Sequence, residues 1–187
     1  MTKPMQILAI SGSLKASSAN TTLLRAMAAL ASQDMKLTIY DGLAELPHFS
    51  PDLDGELPLT PVAHLRELIQ KADGVIICTP EYAYGVPGSL KNALDWTVSS
   101  GEFLDKPVAV ISASPGVLGG DKAHASLVLT LTALSAKIMK EGKLIIPLVR
   151  TKLNAQGQIT DPATVILLKT LLATLMQTIV DQKVSIQ

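Results

Sequence analysis

The hydrophobic pattern of the chain alternates between two kinds of segment. Short apolar runs of strand length are followed by stretches in which apolar residues recur every three or four positions, as in a helix. The predicted strands are residues 6–10, 36–40, 74–78, 107–111 and 143–146. The predicted helices begin near residues 20, 60, 88, 123 and 162, and the fourth is expected to reach about residue 139. This alternation, without a linker or a repeat, predicts one α/β domain over residues 1–187, with a parallel sheet and helices on both faces.

The loop after the third predicted strand carries two of the three tyrosines in the chain. Pro80 ends the strand, and Gly or Pro at positions 85, 87 and 88 keep the chain irregular until the next helix. In an open α/β sheet, ligands bind at the carboxyl ends of the strands. We therefore expect a flat ligand against this loop. The candidate contact residues are Pro80, Glu81, Tyr82, Ala83 and Tyr84.

A polar loop of residues 11–20, with four serines, connects the first strand to the first helix. The first amide groups of a helix are free and the helix dipole favours an anion there. The chain contains neither a Gly-x-Gly-x-x-Gly fingerprint nor a P-loop. Hydroxyl and amide groups with a single cation, Lys15, suit a terminal phosphate monoester such as that of FMN. An ordinary capped loop is the alternative, since Ser and Asn often cap helices. The candidate residues are Ser11, Ser13, Lys15, Ser18, Ala19 and Asn20.

A third loop of small residues, 112–120, follows the fourth predicted strand. Its glycines permit the backbone to approach a planar ring closely, although a plain turn would have the same composition. Ser114 and Gly116 are the candidates for closing the second side of the ring. Ligand loops after strands one, three and four fit a flavodoxin-like three-layer sandwich with strand order 2-1-3-4-5, whose switch point holds FMN.

The stretch from residue 80 to residue 96 resembles the NADPH-dependent FMN reductases of flavodoxin-like fold, a family that includes reductases described as acting on quinones, chromate and azo dyes. The matching residues are Pro80, Glu81, Tyr82, Pro87, Gly88, Leu90, Lys91, Asn92, Ala93, Asp95 and Trp96, and in the first loop Gly12, Ser13, Leu14, Ser18 and Asn20. The chain differs at Ala83, where the family usually has Asn. It also has Lys15 where the family often has Arg. Arginine can bind a phosphate through two parallel hydrogen bonds, whereas lysine offers a single compact charge.

The resemblance implies an FMN-dependent oxidoreductase that takes electrons from NADPH or NADH and passes them to a small acceptor. A quinone, an azo dye, a metal oxyanion and free flavin all remain open as the acceptor. No acid–base residue is nominated, because hydride transfer between nicotinamide and flavin requires none from the protein. A flavodoxin-type electron carrier and a flavin-free protein on the same fold are the alternatives. Carriers are typically strongly acidic, whereas this chain has 16 basic and 16 acidic residues.

Composition limits the partners and the compartment. Zero net charge without a basic run argues against nucleic acid binding. One cysteine suits a reducing compartment, and we expect no apolar run of the roughly 20 residues that a bilayer requires. These features predict a soluble, cytoplasmic protein without a membrane partner. The helix from residue 123 reads as apolar nearly all round, so its outer face is expected to meet another subunit in a homodimer or homotetramer.

Residues 41–60 form the longest irregular segment of the pattern. We expect this segment to be mobile and to form part of the wall over the ligand. Asp52 and Asp54 within it are expected to lie in a solvated turn rather than to bind a metal. Thr60 and Pro61 are expected to serve as the N-cap and first residue of the second helix.

Overall fold

The computed structural model describes residues 3–185 and contains one five-stranded parallel sheet. The strands are β1 (Met5–Ser11), β2 (Met35–Tyr40), β3 (Gly74–Thr79), β4 (Pro107–Ala113) and β5 (Lys137–Ile146). The helices are α1 (Ala19–Leu30), α2 (Thr60–Lys71), α3 (Gly88–Asp95), α4 (Asp121–Ala133) and α5 (Pro162–Ser185). The sheet order is β2-β1-β3-β4-β5 and every pairing is parallel. The predicted flavodoxin-like fold and strand order are confirmed.

Two hydrophobic cores lie on opposite faces of the sheet, because successive residues of a strand point to opposite sides. Val75 and Ile77 of β3 pack with α2, α3 and α4 on one face. Ile76 and Cys78 pack with α1 and α5 on the other. Every residue of β3 and β4 is buried, which explains their continuous apolar sequences. The helices thus cover both faces and leave the ends of the strands open.

Two predicted helix boundaries are wrong. The fourth helix ends at Ala133 rather than near residue 139, and Ser135, with φ of 57°, reverses the chain into β5. Strand β5 therefore begins at Lys137 and is ten residues long, with a register irregularity opposite Val108 and Val110. At the second helix, Thr60 is the first helical residue and Leu59 is the N-cap, without a side-chain cap.

The segment 41–60 is held in place by the side chains of Asn92 in α3 and of Trp96 directly after it, and its mobility stays a prediction. Asn92 accepts a hydrogen bond from the Phe49 amide at 2.8 Å and donates to the Pro47 carbonyl at 2.9 Å. The Trp96 indole donates to the same carbonyl at 2.9 Å, and its ring packs edge-on against Phe49 with centroids 5.1 Å apart. Asn92 and Trp96 both belong to the stretch that resembles the reductase family, and here they serve the fold.

A partly buried ion pair holds the second half of the same segment in place. Arg66 of α2 donates to Asp54 at 2.6 Å and, through Nε, to the Trp96 carbonyl at 2.9 Å. Ser99 also donates to Asp54, and these hydrogen bonds from Ser99 and Arg66 lower the pKa of its carboxyl group. Only 6% of the Asp54 side chain is exposed, so Asp54 does not lie in a solvated turn as expected.

The C-terminal helix α5 is long and apolar enough to cross a membrane by length and composition alone, with a mean hydropathy of 1.8 over its most apolar window. The expectation that no such run exists is therefore wrong. Four Thr residues and Lys169 interrupt the apolar residues of this helix, but its mean hydropathy stays high. One third of that window is buried within the domain, where Leu168, Leu171 and Leu175 pack against the sheet.

We predict that Asn92→Ala lowers the free energy of unfolding by about 1–3 kcal/mol, because the Phe49 amide loses its acceptor in a partly buried site. Lys91→Ala is the matched control, since Lys91 makes only an exposed ion pair with Asp95 on the same helix. Such pairs contribute about 0.3–0.5 kcal/mol. Urea unfolding of both variants measures the difference. Equal losses would show that Asn92 does not hold the segment.

Candidate active site

A cavity of about 600 Å³ opens at the carboxyl edge of the sheet, between the loops that follow β1, β3 and β4. Nine of the thirteen predicted site residues line it: Ser13, Lys15, Ser18, Ala19, Asn20, Pro80, Glu81, Tyr82 and Ser114. Four do not: Ser11, Ala83, Tyr84 and Gly116. The structure therefore brings residues from all three predicted loops to one cavity, as expected from parallel strands that end at the same edge.

The loop between β1 and α1 presents donors to one end of this cavity. Ser18 is the N-cap of α1, and its hydroxyl accepts the Thr21 amide at 3.4 Å. The Ala19 and Asn20 amides start the helix and have no intrahelical acceptor. Ser11 has a different role: its hydroxyl accepts from Thr21 Oγ1 at 2.8 Å and from the Ser13 amide at 3.4 Å. Ser11 therefore stabilises the conformation of the loop by these hydrogen bonds and does not line the cavity.

Asn20 joins the first loop to the ends of β3 and β4. Its side-chain amide donates to the Ala113 carbonyl at 3.3 Å, and its oxygen accepts from the Cys78 thiol at 3.1 Å. Burial raises the pKa of Cys78, so this thiol stays protonated and donates. Asn20 is itself buried and is not the helix cap. Two hydrogen bonds to other parts of the fold therefore fix the Asn20 side chain in the cavity wall.

The loop after β3 contains a tight turn at its tip. Tyr82 and Gly85 exchange two backbone hydrogen bonds of 3.0 Å, which leaves Ala83 and Tyr84 with positive φ of 48° and 60°. Asn is favoured over Ala in this left-handed conformation. The backbone alone therefore accounts for the Asn that the similar family usually has at position 83. The turn directs Tyr82 to the cavity and holds Tyr84, 77% exposed, outside it.

Glu81 connects the β3 loop to the start of α4. Its carboxylate accepts the Lys122 and Ala123 amides at 3.0 and 2.9 Å, so it satisfies two free donors of that helix. The two loops approach closely at Gly120, whose φ is 83°. A Cβ there would lie 3.3 Å from the Glu81 Cβ and 3.6 Å from the Cβ atoms of Ser112 and Ser114. Glu81 lines the cavity, but its charge is used to position the backbone.

The sequence analysis missed a fourth wall, which is formed by the segment after β5. Val149, Arg150, Leu153, Asn154, Ala155 and Gly157 line the cavity from this side. The sequence could have indicated this wall, because the segment follows the carboxyl end of the fifth predicted strand, as the other three loops follow theirs. Ser17, Thr22 of α1, Ala113 of β4 and Pro115 complete the lining. His124 does not line it; burial and the nearby Lys143 lower the pKa of its imidazole.

The residues of the cavity fit FMN. The lining offers hydroxyl groups, the first amides of α1 and the cations Lys15 and Arg150, which suit a phosphate. The exposed Tyr82 side chain and the backbone of Pro80 and Ser114 offer contacts for a flat ring. Among residues 3–185 no cluster of three potential metal ligands occurs.

We predict that Glu81→Ala lowers the free energy of unfolding by about 0.5–2 kcal/mol and weakens FMN binding. The reason is that the variant loses the two hydrogen bonds by which the loop after β3 caps α4. Glu81→Gln keeps one acceptor oxygen and should lie between Ala and the wild type in both measurements. Urea unfolding and flavin fluorescence titration test this prediction. If both variants match the wild type, the carboxylate does not hold the loop.

Comparison with known proteins supports the assignment. Residues 5–150 match the family described as NADPH-dependent FMN reductase. A quinone reductase of Escherichia coli strain K12 is 34% identical over 169 residues, which cover 88% of this chain and 89% of that protein. An NAD(P)H-dependent FMN reductase of Pseudomonas aeruginosa is 33% identical over 86% of this chain and 88% of that protein.

Among solved structures, the flavoenzyme NAD(P)H:(acceptor) oxidoreductase FerB from Paracoccus denitrificans superposes with a TM-score of 0.85 at 29% identity, over 95% of this chain and 98% of that one. The family match covers most of the chain, and the relatives match it over nearly their whole length. The chain therefore belongs to the NADPH-dependent FMN reductase family and is an FMN-dependent NAD(P)H oxidoreductase.

Proposed function

We propose that the protein passes electrons from NAD(P)H to a quinone-like acceptor, with FMN held in the cavity at the carboxyl edge of the sheet. The observation that carries the proposal is the arrangement of this one cavity. It joins the free amides and hydroxyls of the β1 loop to the exposed Tyr82 of the β3 loop. A ligand with a phosphate at one end and a flat ring at the other matches both.

Each loop has its own part in this proposal. Ser13, Ser18 and the Ala19 and Asn20 amides bind the phosphate, and Lys15 balances its charge. Pro80, Glu81 and Tyr82 lie against the ring on one side and Ser114 on the other. Ala83 and Tyr84 shape the turn that carries Tyr82, while Ser11 and Gly116 support the loops. Bound FMN supplies the redox chemistry, so the protein binds, orients and shields.

The surroundings of the cavity mouth favour a flat, apolar acceptor. Val117 and Leu118, on the loop after β4, are 76% and 65% exposed, and the exposed Tyr84 ring lies on the β3 loop. Apolar side chains at this edge suit a quinone better than a charged oxyanion. The Escherichia coli relative is named quinone reductase, which supports the same acceptor class.

We also propose a homodimer or homotetramer in the cytoplasm. The inner face of α4 is buried through Leu127 and Leu131, while Leu129 on its outer face is 72% exposed. A second subunit would cover Leu129. The single cysteine, Cys78, is buried and unpaired, which suits a reducing compartment.

We predict that riboflavin binds at least tenfold more weakly than FMN, on the order of 1.4 kcal/mol, because it lacks the phosphate that the β1 loop would bind. FAD should also bind more weakly than FMN, because its flavin phosphate is joined to AMP through a pyrophosphate bond and is no longer a terminal monoester. Quenching of flavin fluorescence by the protein measures all three affinities. Equal affinities for FMN and riboflavin would remove the β1 loop from the phosphate site.

We predict ping-pong kinetics, because the nicotinamide and the acceptor must use the same open side of the cavity in turn. Initial rates with NADPH and a soluble benzoquinone should give parallel double-reciprocal lines at several fixed quinone concentrations. The same experiment with NADH serves as the control for the donor. Intersecting lines would require a second pocket that holds both substrates together.

A further inference from the structure

The segment after β5 places one arginine against the cavity on a fixed backbone. The Leu148 amide donates to the Gly116 carbonyl at 3.2 Å, and the Val149 amide donates to the Ser114 carbonyl at 3.1 Å. These bonds fasten the start of the segment to the loop after β4. Arg150 follows directly, in a short 3-10 helix of residues Val149–Lys152. Its Cα is therefore positioned by the same loop that would close the flavin site.

The rest of this wall is also ordered. Asn154 accepts the Gln156 and Gln158 amides at 3.0 and 2.9 Å and so closes a small hairpin. That hairpin reaches α1 at Gly157, where a Cβ would lie 2.9 Å from Thr22 Cγ2. The wall thus extends from the β4 loop to the helix whose first amides face the cavity. A side chain at position 150 lies between these two attachments along the chain.

Arg150 has no structural partner in the part of the chain that the structure describes, whereas its neighbour Lys152 has two. Lys152 donates to Asp161 at 3.0 Å and to Thr164 at 3.1 Å. Arg150 makes neither an ion pair nor a side-chain hydrogen bond within residues 3–185. An exposed guanidinium with five free donors, at the edge of a cavity, is available to a ligand.

The charges of the cavity lining favour an anion. Its lining contains two cations, Lys15 and Arg150, and one carboxylate, Glu81. The Glu81 carboxylate already accepts two amides of α4. Lys15 stands where the similar family often has an arginine, and lysine offers a point charge rather than a planar fork. Arg150 brings that fork to the cavity from the segment after β5.

We infer that Arg150 binds a phosphate monoester of the reaction's own ligands and is the bidentate cation of the site, in place of an arginine at position 15. The inference rests on the proposed function. Two ligands present this group: FMN carries a terminal phosphate, and NADPH carries a 2′-phosphate that NADH lacks. The chemistry recognised is the same in both cases, and the measurement separates them.

The test compares the full-length wild type with Arg150→Gln, Arg150→Lys and the matched control Arg25→Gln. Arg25 is an exposed arginine of α1 outside the cavity lining, so its removal changes net charge equally. Release of FMN and of riboflavin from the loaded protein on dilution is followed by flavin fluorescence. The KM values for NADPH and NADH are then measured with a soluble quinone.

If Arg150 binds the flavin phosphate, Arg150→Gln weakens FMN about tenfold and leaves riboflavin unchanged, with Arg150→Lys between them. If it binds the 2′-phosphate, FMN retention is unchanged and KM rises about tenfold for NADPH but not for NADH. Either result supports the inference.

The inference is overturned if Arg150→Gln matches the wild type in all measurements, weakens FMN and riboflavin equally, or matches Arg25→Gln. Failure of the proposed function would look different, because the wild type itself would then bind no FMN or would not oxidise NAD(P)H.

Discussion

The parallel pairing of β1 with β3 is the constraint on which the site depends. Because β2 lies on the other side of β1, the chain leaves β1 and β3 toward opposite faces of the sheet, into α1 and α3. The loops separate at this point and leave a crevice at the carboxyl edge. Residues 7–11 of β1 pair with residues 74–78 of β3, so Ser11 and Cys78 end level with each other. The loop after β1 and the loop after β3 therefore begin at nearly the same position along the strand direction.

Buried polar contacts keep the crevice in one shape. The Gly12 amide donates to the Cys78 carbonyl at 2.8 Å, and Asn20 then links the Cys78 thiol to the Ala113 carbonyl of β4. Glu81 performs the same task between the β3 loop and α4. An unpaired polar group costs most where water is absent, so each of these contacts also disfavours alternative loop positions. A preorganised cavity loses less entropy when a ligand binds.

The centre of the sheet could be predicted from the sequence because β1, β3 and β4 are short apolar runs that are buried on both faces, while β2 shows alternation. The boundary between α4 and β5 could not, since residues 134–139 contain apolar positions that fit either a helix or a strand, and the reversal at Ser135 depends on backbone geometry. Nine of the predicted site residues line the cavity because loops at one sheet edge must converge. The wall around Arg150 was missed because its hairpin lies beyond the resemblance, and only the three-dimensional path brings Gly157 to α1.

Several of the residues that carry the family resemblance serve the scaffold. Asn92 and Trp96 hold the Pro47 carbonyl, Glu81 holds α4, and the usual Asn at position 83 matches a left-handed turn that Ala83 still adopts. Val117, Leu118 and Arg150 are exposed, so packing does not select the residue at these positions. The scaffold contacts therefore leave the surface at the carboxyl edge free to vary, and under the proposed function the choice of donor and acceptor would depend on that surface.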